Sequence, residues 1–300
     1  MSKNIFSPAL INSSGSWEMP PDTILAVIGD PIGHSLSPAM HNPILEAAGI
    51  KGSYAMAEVK KEDLQKWCSF AAKNLKGFNV TVPHKENIIP FLDRVEPAAL
   101  AAGSVNTVRI AADGALEGTT TDGAGFLDAA AEALHFSPAD ASVAITGAGG
   151  AARGIAFACA AAGAKEILIF NRNQERAEIL AADLKNLYPA LTVSVWKQEE
   201  TTLPGLLAGC DLTVQATSLG LKESDPSPLP EKAVKECRAI FECIYGNTEV
   251  LHYALDNNVP CTDGAGMLLH QGARAFEFWF GRKPDTDIMK KALLDAVRKR

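Results

Sequence analysis

GAGGAA, residues 147–152, follows the apolar run ASVAIT and opens a segment of helical character. Glycines there allow a tight turn and close approach of backbone to a ligand. The first turn of a helix offers unpaired N–H groups to a pyrophosphate. Strand, glycines and helix in that order are the context of a dinucleotide loop, which assigns Gly147, Ala148, Gly149, Gly150 and Ala151 to phosphate binding. Plain helix packing is the alternative. About twenty residues further on, a loop that reads an adenosine ribose carries an acid. This chain has IFNRNQER (169–176) instead, with Asn171, Arg172, Asn173 and Arg176 around a single acid, Glu175. An acid would repel a 2′-phosphate, whereas arginine binds phosphate oxygens bidentately and keeps its charge at any relevant pH. With a helix starting near Asn173, Arg172 and Arg176 are spaced to flank one phosphate. The alternative is a pair of solvated arginines, but cations are poorly placed at a helix N-terminus unless an anion is present. The reading is an NADP site.

The first half offers a second set. IGDPIGHSLSPAMHN (28–42) joins a strand to a helix and presents Ser35 and Ser37, with Pro38 at a first helical turn. Two hydroxyls and nearby N–H groups suit a carboxylate; helix capping by Ser37 is the alternative. GFNVTVPHK (77–85) closes an apolar strand with Asn79, Thr81 and Lys85. A lysine just past a buried strand is also a common snorkelling residue. AGSVNTV (102–108) adds Asn106, and TTTDGAG (119–125) adds Asp122 beside a Gly-rich hinge. Alone, Asn106 supports a turn as readily, and Asp122 caps the helix after it as readily.

The elements that must position these residues follow from periodicity. TILAVIG (23–29), SYAMAEV (53–59) and GFNVTVP (77–83) read as strands, with helices from about 38 to 48 and over 62–73. Residues 106–122 contain a hairpin turning near Asp113 and Gly114. From residue 123 strands and helices alternate: a helix over 123–135, strands at 141–147, 165–171, 191–196, 211–217 and 238–245, and helices between them. That alternation predicts a parallel sheet covered on both faces. The last 36 residues read as helical.

Composition limits the function. The chain has 300 residues, 47% hydrophobic and 21% charged, which suggests about two domains. A net charge of −7 argues against nucleic-acid or anionic-membrane partners, so any anion site is local. Six cysteines without a CxxC pair read as reduced, mostly buried thiols, not as a disulfide frame or zinc site. No metal is expected, and His34, His41 and His84 read as structural or rim residues. No apolar run is long enough to span a membrane, and residues 1–21 read as a loose extension without a secretion signal. The expected location is the cytoplasm.

Taken in order, IGDPIGHSLSPAMHN, GFNVTVPHK, AGSVNT, TDGAG, GAGGAARG, NRNQER, ATSLG and DGAGMLLHQ make the chain similar to the shikimate/quinate dehydrogenase family over residues 24–281. The resemblance implies two α/β domains with a cleft between them. Residues 22–121 and 265–300 would form a substrate-binding, catalytic domain, and residues 122–264 a Rossmann-type NADP-binding domain. It implies that Ser35 and Ser37 bind the shikimate carboxylate, that Thr81, Asn106 and Gln271 hold ring hydroxyls, that Asn79 joins the substrate-binding residues, and that Tyr245 lies near the substrate. Lys85 and Asp122 would be the catalytic pair. Thr217, Gly264 and Met267 would join the glycine loop and residues 171–176 in holding the cofactor.

The implied function is NADP-dependent interconversion of shikimate and 3-dehydroshikimate, in aromatic amino-acid biosynthesis, by a monomer or homodimer. A quinate/shikimate dehydrogenase, or a relative acting on another hydroxy acid, is the near alternative. A non-catalytic NADP-binding regulator is the distant one, against which the Lys85/Asp122 pair stands. Four positions depart from the family's usual residues: Thr120 and Gln215 where Asn is usual, Glu242 where Asp is usual, and Asn247 where Pro is usual.

Overall fold

The computed structural model describes residues 7–13, 15–197, 202–222 and 224–299. The chain divides into two compact domains, one of residues 1–121 and 271–300, the other of 122–270. The first domain runs to Thr121 and the second starts at Asp122. The return falls at His270/Gln271, inside a helix, and not after Gly264. A helix carries no composition break, so periodicity cannot mark a boundary within one.

The first domain begins with β1 (Thr23–Gly29), α1 (Ser37–Ala47), β2 (Ser53–Glu58), α2 (Leu64–Asn74) and β3 (Gly77–Val80). It continues with β4 (Arg94–Val95), α3 (Pro97–Ala102), β5 (Thr107–Ile110) and β6 (Leu116–Thr119). Its sheet has the order β2-β1-β3-β5-β6-β4. β1 pairs in parallel with β2 and β3, whereas β3, β5 and β6 pair antiparallel through the expected hairpin. Gly114 permits that hairpin's turn, at φ +84°. Successive strand residues face opposite ways. Ala26, Ile28, Ala57, Phe78 and Val80 therefore meet Leu64, Trp67 and Ala71 of α2 on one face. Tyr54, of opposite parity to Ala57, stacks on His41 of α1, with ring centroids 4.5 Å apart.

The second domain holds α4 (Asp122–Leu134), β7 (Ser142–Thr146), α5 (Gly150–Ala161), β8 (Glu166–Phe170), α6 (Gln174–Leu187) and β9 (Thr192–Trp196). α7 (Leu203–Ala208), β10 (Leu212–Gln215), α8 (Glu231–Val234), β11 (Ile240–Glu242), α9 (Glu249–Asp256) and β12 (Cys261–Thr262) follow. All its strands are parallel, in the order β12-β11-β10-β7-β8-β9. This is the doubly wound Rossmann order, with β7 first in the chain and central in the sheet. α7, α8 and α9 cover one face through Leu203, Leu207, Val234 and Val250. α4 packs against α5 so closely that a Cβ on Gly123 would sit 2.4 Å from the Gly154 carbonyl oxygen. The chain then returns through α10 (Ala265–Phe280) to α11 (Thr286–Val297), which packs on α1.

The expected loose extension is corrected over its described residues; residues 1–6 and 14 lie outside them. Ala9 bridges to Ala57 in parallel, and Ile11 to Trp17. Trp17 is 3% exposed. Its ring meets Trp67 edge-on at 5.2 Å, and its Nε1 donates to Glu58 O at 3.0 Å. Composition rich in Ser, Asn and Pro hides one large apolar anchor, and burial of that anchor outweighs the loop-forming neighbours. Trp17→Ala should cost on the order of 3 kcal/mol in urea unfolding. An unchanged midpoint would return the extension to the loose state its composition suggests.

Candidate active site

In the first domain a chain of buried polar groups joins the sequence-predicted residues. α1 starts at Ser37 itself, and the residue before it, Leu36, makes no side-chain cap. Capping by Ser37 is therefore excluded. Ser37 N donates to Ser35 Oγ at 3.3 Å, and the Ser37 side chain hydrogen-bonds to the Tyr54 phenol. Burial pushes the Tyr54 phenol well above its usual range, so it stays protonated and donates to Asn79 Oδ1 at 2.7 Å. Asn79 Nδ2 in turn donates to Asn106 O at 3.0 Å and Thr107 Oγ1 at 2.9 Å. Asn79 is thus engaged with its own sheet.

Asn106 is the hub. Its Nδ2 donates to Thr121 Oγ1 at 2.9 Å and Gln271 Oε1 at 3.3 Å, and its Oδ1 accepts from Thr121 N at 2.8 Å. Gln271 reaches it from α10, across 165 residues of sequence. Ser35, Ser37, Asn79, Asn106 and Gln271 therefore belong to one network. Tyr54, Thr107 and Thr121 complete it and are not apparent in the sequence. The one available signal is a tyrosine in the otherwise apolar SYAMAEV run.

Thr81 and Lys85 lie on the turn after β3. Thr81 N donates to Ile28 O at 2.9 Å, and its methyl faces Gly29 so closely that a Cβ there would lie 2.8 Å away. The turn is pinned by the buried His84 ring, 2.6 Å from Val59 O, and by Val105 N donating to Lys85 O at 2.8 Å. Lys85 is half-buried. His41 and His84 are core residues; burial lowers the pKa of each, to about 3 for His41.

In the second domain the glycine loop leaves β7. Gly147 has φ +114°, and a Cβ on it would meet the Ala216 carbonyl oxygen at 2.9 Å. Both observations require glycine. Gly149 precedes α5 without any side-chain cap, and a Cβ on it would meet nothing within 4 Å. The helix start is open above Gly149, Ala148 is buried, and Gly150 and Ala151 form the first turn. That cradle fits a pyrophosphate.

After β8, Arg172 and Arg176 are both exposed, and Asn173 is the N-cap of α6, its side chain accepting from Arg176 N at 3.1 Å. Asn173 therefore has a capping role. Arg172 precedes the cap and Arg176 lies in the first turn of α6. Asn171 Nδ2 bonds Asn173 O at 2.7 Å and shapes the turn. Two exposed guanidiniums beside the capped start of α6, with Glu175 inside the first turn, suit an adenosine phosphate.

Two further loops leave the same sheet edge. Thr217 N donates to Gln215 Oε1 at 2.6 Å, and Thr217 Oγ1 accepts from Leu219 N at 3.2 Å. Half-buried Tyr245 lies past β11. The expected strand 238–245 ends early, at Glu242, because the Glu242 carboxylate accepts from Ile244 N at 3.0 Å and turns the chain. Gly264 approaches this loop: a Cβ on it would lie 2.1 Å from Cys243 O. Met267 is buried on α10, and Asp122, 3% exposed, is the first residue of α4. Among the described residues no cluster of His, Cys, Asp and Glu could hold a metal, and no helix is long and apolar enough to cross a membrane. Burial pushes the thiols of Cys68, Cys159 and Cys210 up to about 12 and that of Cys237 to about 11, away from nucleophilic use.

Together the doubly wound sheet, its glycine loop and the polar network of the first domain define a class, the two-domain α/β dehydrogenases with a Rossmann-type nucleotide domain. Family models match residues 27–108 as shikimate dehydrogenase substrate binding domain, 129–219 as shikimate / quinate 5-dehydrogenase and 264–294 as shikimate 5'-dehydrogenase C-terminal domain. The chain is 36% identical, over 92% of its length and 95% of the relative's, to shikimate dehydrogenase (NADP(+)) of Symbiobacterium thermophilum. A crystal structure of a shikimate dehydrogenase in complex with NADP+ matches with a TM-score of 0.82 and 31% identity, over 97% of this chain and 98% of that one. The Thermus thermophilus enzyme in complex with NADP(H) and shikimate matches at 0.78 and 34%, over 91% and 99%. The chain belongs to the shikimate dehydrogenase family.

Glu242 provides a pH signature. Burial raises its carboxyl from 4.5 to about 7, against the hydrogen bonds from Ile244, Thr248 and Gln215, with Asp263 adding repulsion. The folded chain then holds this proton longer than the unfolded chain does. The group's contribution is full below about 4.5 and lost as pH rises through about 7. Glu242→Gln should remove that slope, gaining on the order of 3 kcal/mol relative to the parent chain between pH 4.5 and 8 in urea unfolding. Parallel stability profiles of the two proteins would contradict the shift.

Proposed function

We propose that this chain is an NADP-dependent shikimate dehydrogenase, catalysing reversible hydride transfer between shikimate and 3-dehydroshikimate in cytoplasmic aromatic amino-acid biosynthesis. The observation that carries the reading is the connected network from Ser35 to Gln271 in a member of this family. Ser35 and Ser37 take the carboxylate. Thr81, Asn106 and Gln271 take ring hydroxyls, with Asn79 and Tyr54 holding them in register, and Tyr245 borders the ring. NADP is held by the glycine loop, Thr217, Gly264 and Met267, with Arg172 and Arg176 on the adenosine phosphate and Asn171 and Asn173 shaping their turn.

When bound, the nicotinamide donates or accepts the hydride. The protein handles one proton. In the reducing direction the carbonyl oxygen becomes an alkoxide, which Lys85 stabilises and protonates from its ammonium group; in the oxidising direction the amine takes that proton back. Asp122 serves as the second group of the proposed catalytic pair, accepting from a substrate hydroxyl.

Steady-state turnover with shikimate and with quinate, each with NADP and NAD, tests the whole reading, and Arg172→Asp tests its cofactor half. Shikimate with NADP should be the preferred pair. Arg172→Asp should lose about one to two decades of NADP affinity and little for NAD, the worth of a bidentate phosphate contact. Equal losses for both nucleotides would make Arg172 a fold residue. Preferred turnover of quinate would move the assignment to the quinate branch, since small pocket changes admit an extra hydroxyl.

Lys85→Ala should lower turnover by about 10²–10⁴ while NADP binding survives, because the glycine loop and Arg172 are untouched. Shikimate binding should weaken only modestly, with Ser35 and Ser37 in place. A folded variant that binds NADP and keeps most of its turnover would reduce Lys85 to a snorkelling surface residue.

A further inference from the structure

Gln215 and Glu242 meet in the core of the second domain. They are register partners on the neighbouring parallel strands β10 and β11, both fully buried. Gln215 Nε2 donates to Glu242 Oε1 at 3.1 Å and to Leu219 O at 3.1 Å, and Gln215 Oε1 accepts from Thr217 N. These bonds set the loop 216–220. Glu242 accepts from Ile244 N through Oε1 and from Thr248 Oγ1 through Oε2, at 3.2 Å. Those set the loop 243–248, which carries Tyr245. The first loop also backs the glycine loop, through the close approach of Gly147 to Ala216. One buried contact thus joins the two loops that leave the carboxyl ends of β10 and β11, the edge at which doubly wound sheets bind ligands.

We infer that Gln215 and Glu242 are a positioning pair that locks the Thr217 loop to the Tyr245 loop, so that the cofactor side and the substrate side of this domain hold one geometry. A buried carboxylate with three donors aimed at it, and an amide with both ends engaged, lose these bonds only if a loop moves. The pair touches neither ligand and acts through Thr217 and Tyr245. The inference rests on the NADP and shikimate assignment.

The test compares Glu242→Leu, Gln215→Leu, the double variant and the conservative Glu242→Gln. It uses amide hydrogen exchange over 216–220 and 243–248, NADP affinity by nucleotide fluorescence, and the KM for shikimate apart from kcat. Each leucine variant should raise exchange in both loops and weaken NADP and shikimate together by about tenfold, the loss of roughly one buried charge-assisted bond. The double variant should be no worse than either single one, because the same link is already cut. Glu242→Gln keeps the size, still accepts from Ile244 and Gln215 and can donate to Thr248, so it should stay within about threefold of the parent.

Exchange that rises only in the mutated residue's own loop, with additive losses in the double variant, would overturn the link. If the leucine variants do not fold, Thr248→Val removes one bond at the edge of the pair. Loosening of 216–220 in that variant supports the link, and an unchanged 216–220 overturns it. A parent chain that binds no NADP would sink the functional assignment, while the exchange comparison would still decide the link.

Discussion

A buried amide that leaves one hydrogen bond unmade costs about 1–3 kcal/mol. Asn106 sits under that constraint, 2% exposed, at the junction of β3, β5 and the segment before α4. Its carbonyl takes Val80 N, its side chain takes Thr121 N, and its amide reaches Thr121 and Gln271. Each partner comes from a different part of the chain, so a displacement of any one leaves an orphan. This is how a network of modest bonds imposes one geometry on residues as distant in sequence as Ser37 and Gln271. The aromatic layer of His41, Tyr54 and Trp279 gives it a rigid backing, and Trp279 Nε1 ties itself to Val108 O at 2.9 Å.

The second domain meets a related demand by different means. Its ligand edge is made of loops, and loops have no ladder of their own to hold them. Close backbone approach serves at Gly147 and Gly264, where no side chain fits. Side chains serve at buried Gln215 and Glu242 and half-buried Asp263, each accepting from main-chain N–H groups. Asp263 accepts from Gly246 N and Ala265 N, closing the Tyr245 loop from its far side. The exposed arginines after β8 are the exception. Arg172 and Arg176 are exposed, beside a helix start capped by Asn173.

Much of this was legible beforehand. The parallel order of the second domain follows from alternating periods, and the glycine loop from its place between β7 and α5. What periodicity could not reach were short elements such as β4 and β12, two residues each, and the early end of β11, where one carboxylate overrides an apolar run. The N-terminal extension misled because composition is an average, and one buried tryptophan is not.

The sequence by itself determined the types of chemistry: which residues could donate, accept, carry charge or allow a backbone to come close. Those properties are local, and the family resemblance orders them. The tertiary structure decided who meets whom. Tyr54 bridges Ser37 and Asn79, Gln271 arrives at Asn106 from α10, Asn173 turns inward to cap its helix, and Gln215 finds Glu242 across a parallel register. None of these partners is near its mate in the chain except the cap. Such contacts depend on strand register and helix packing, which are settled by burial summed over a whole domain and leave no mark on any single stretch of residues.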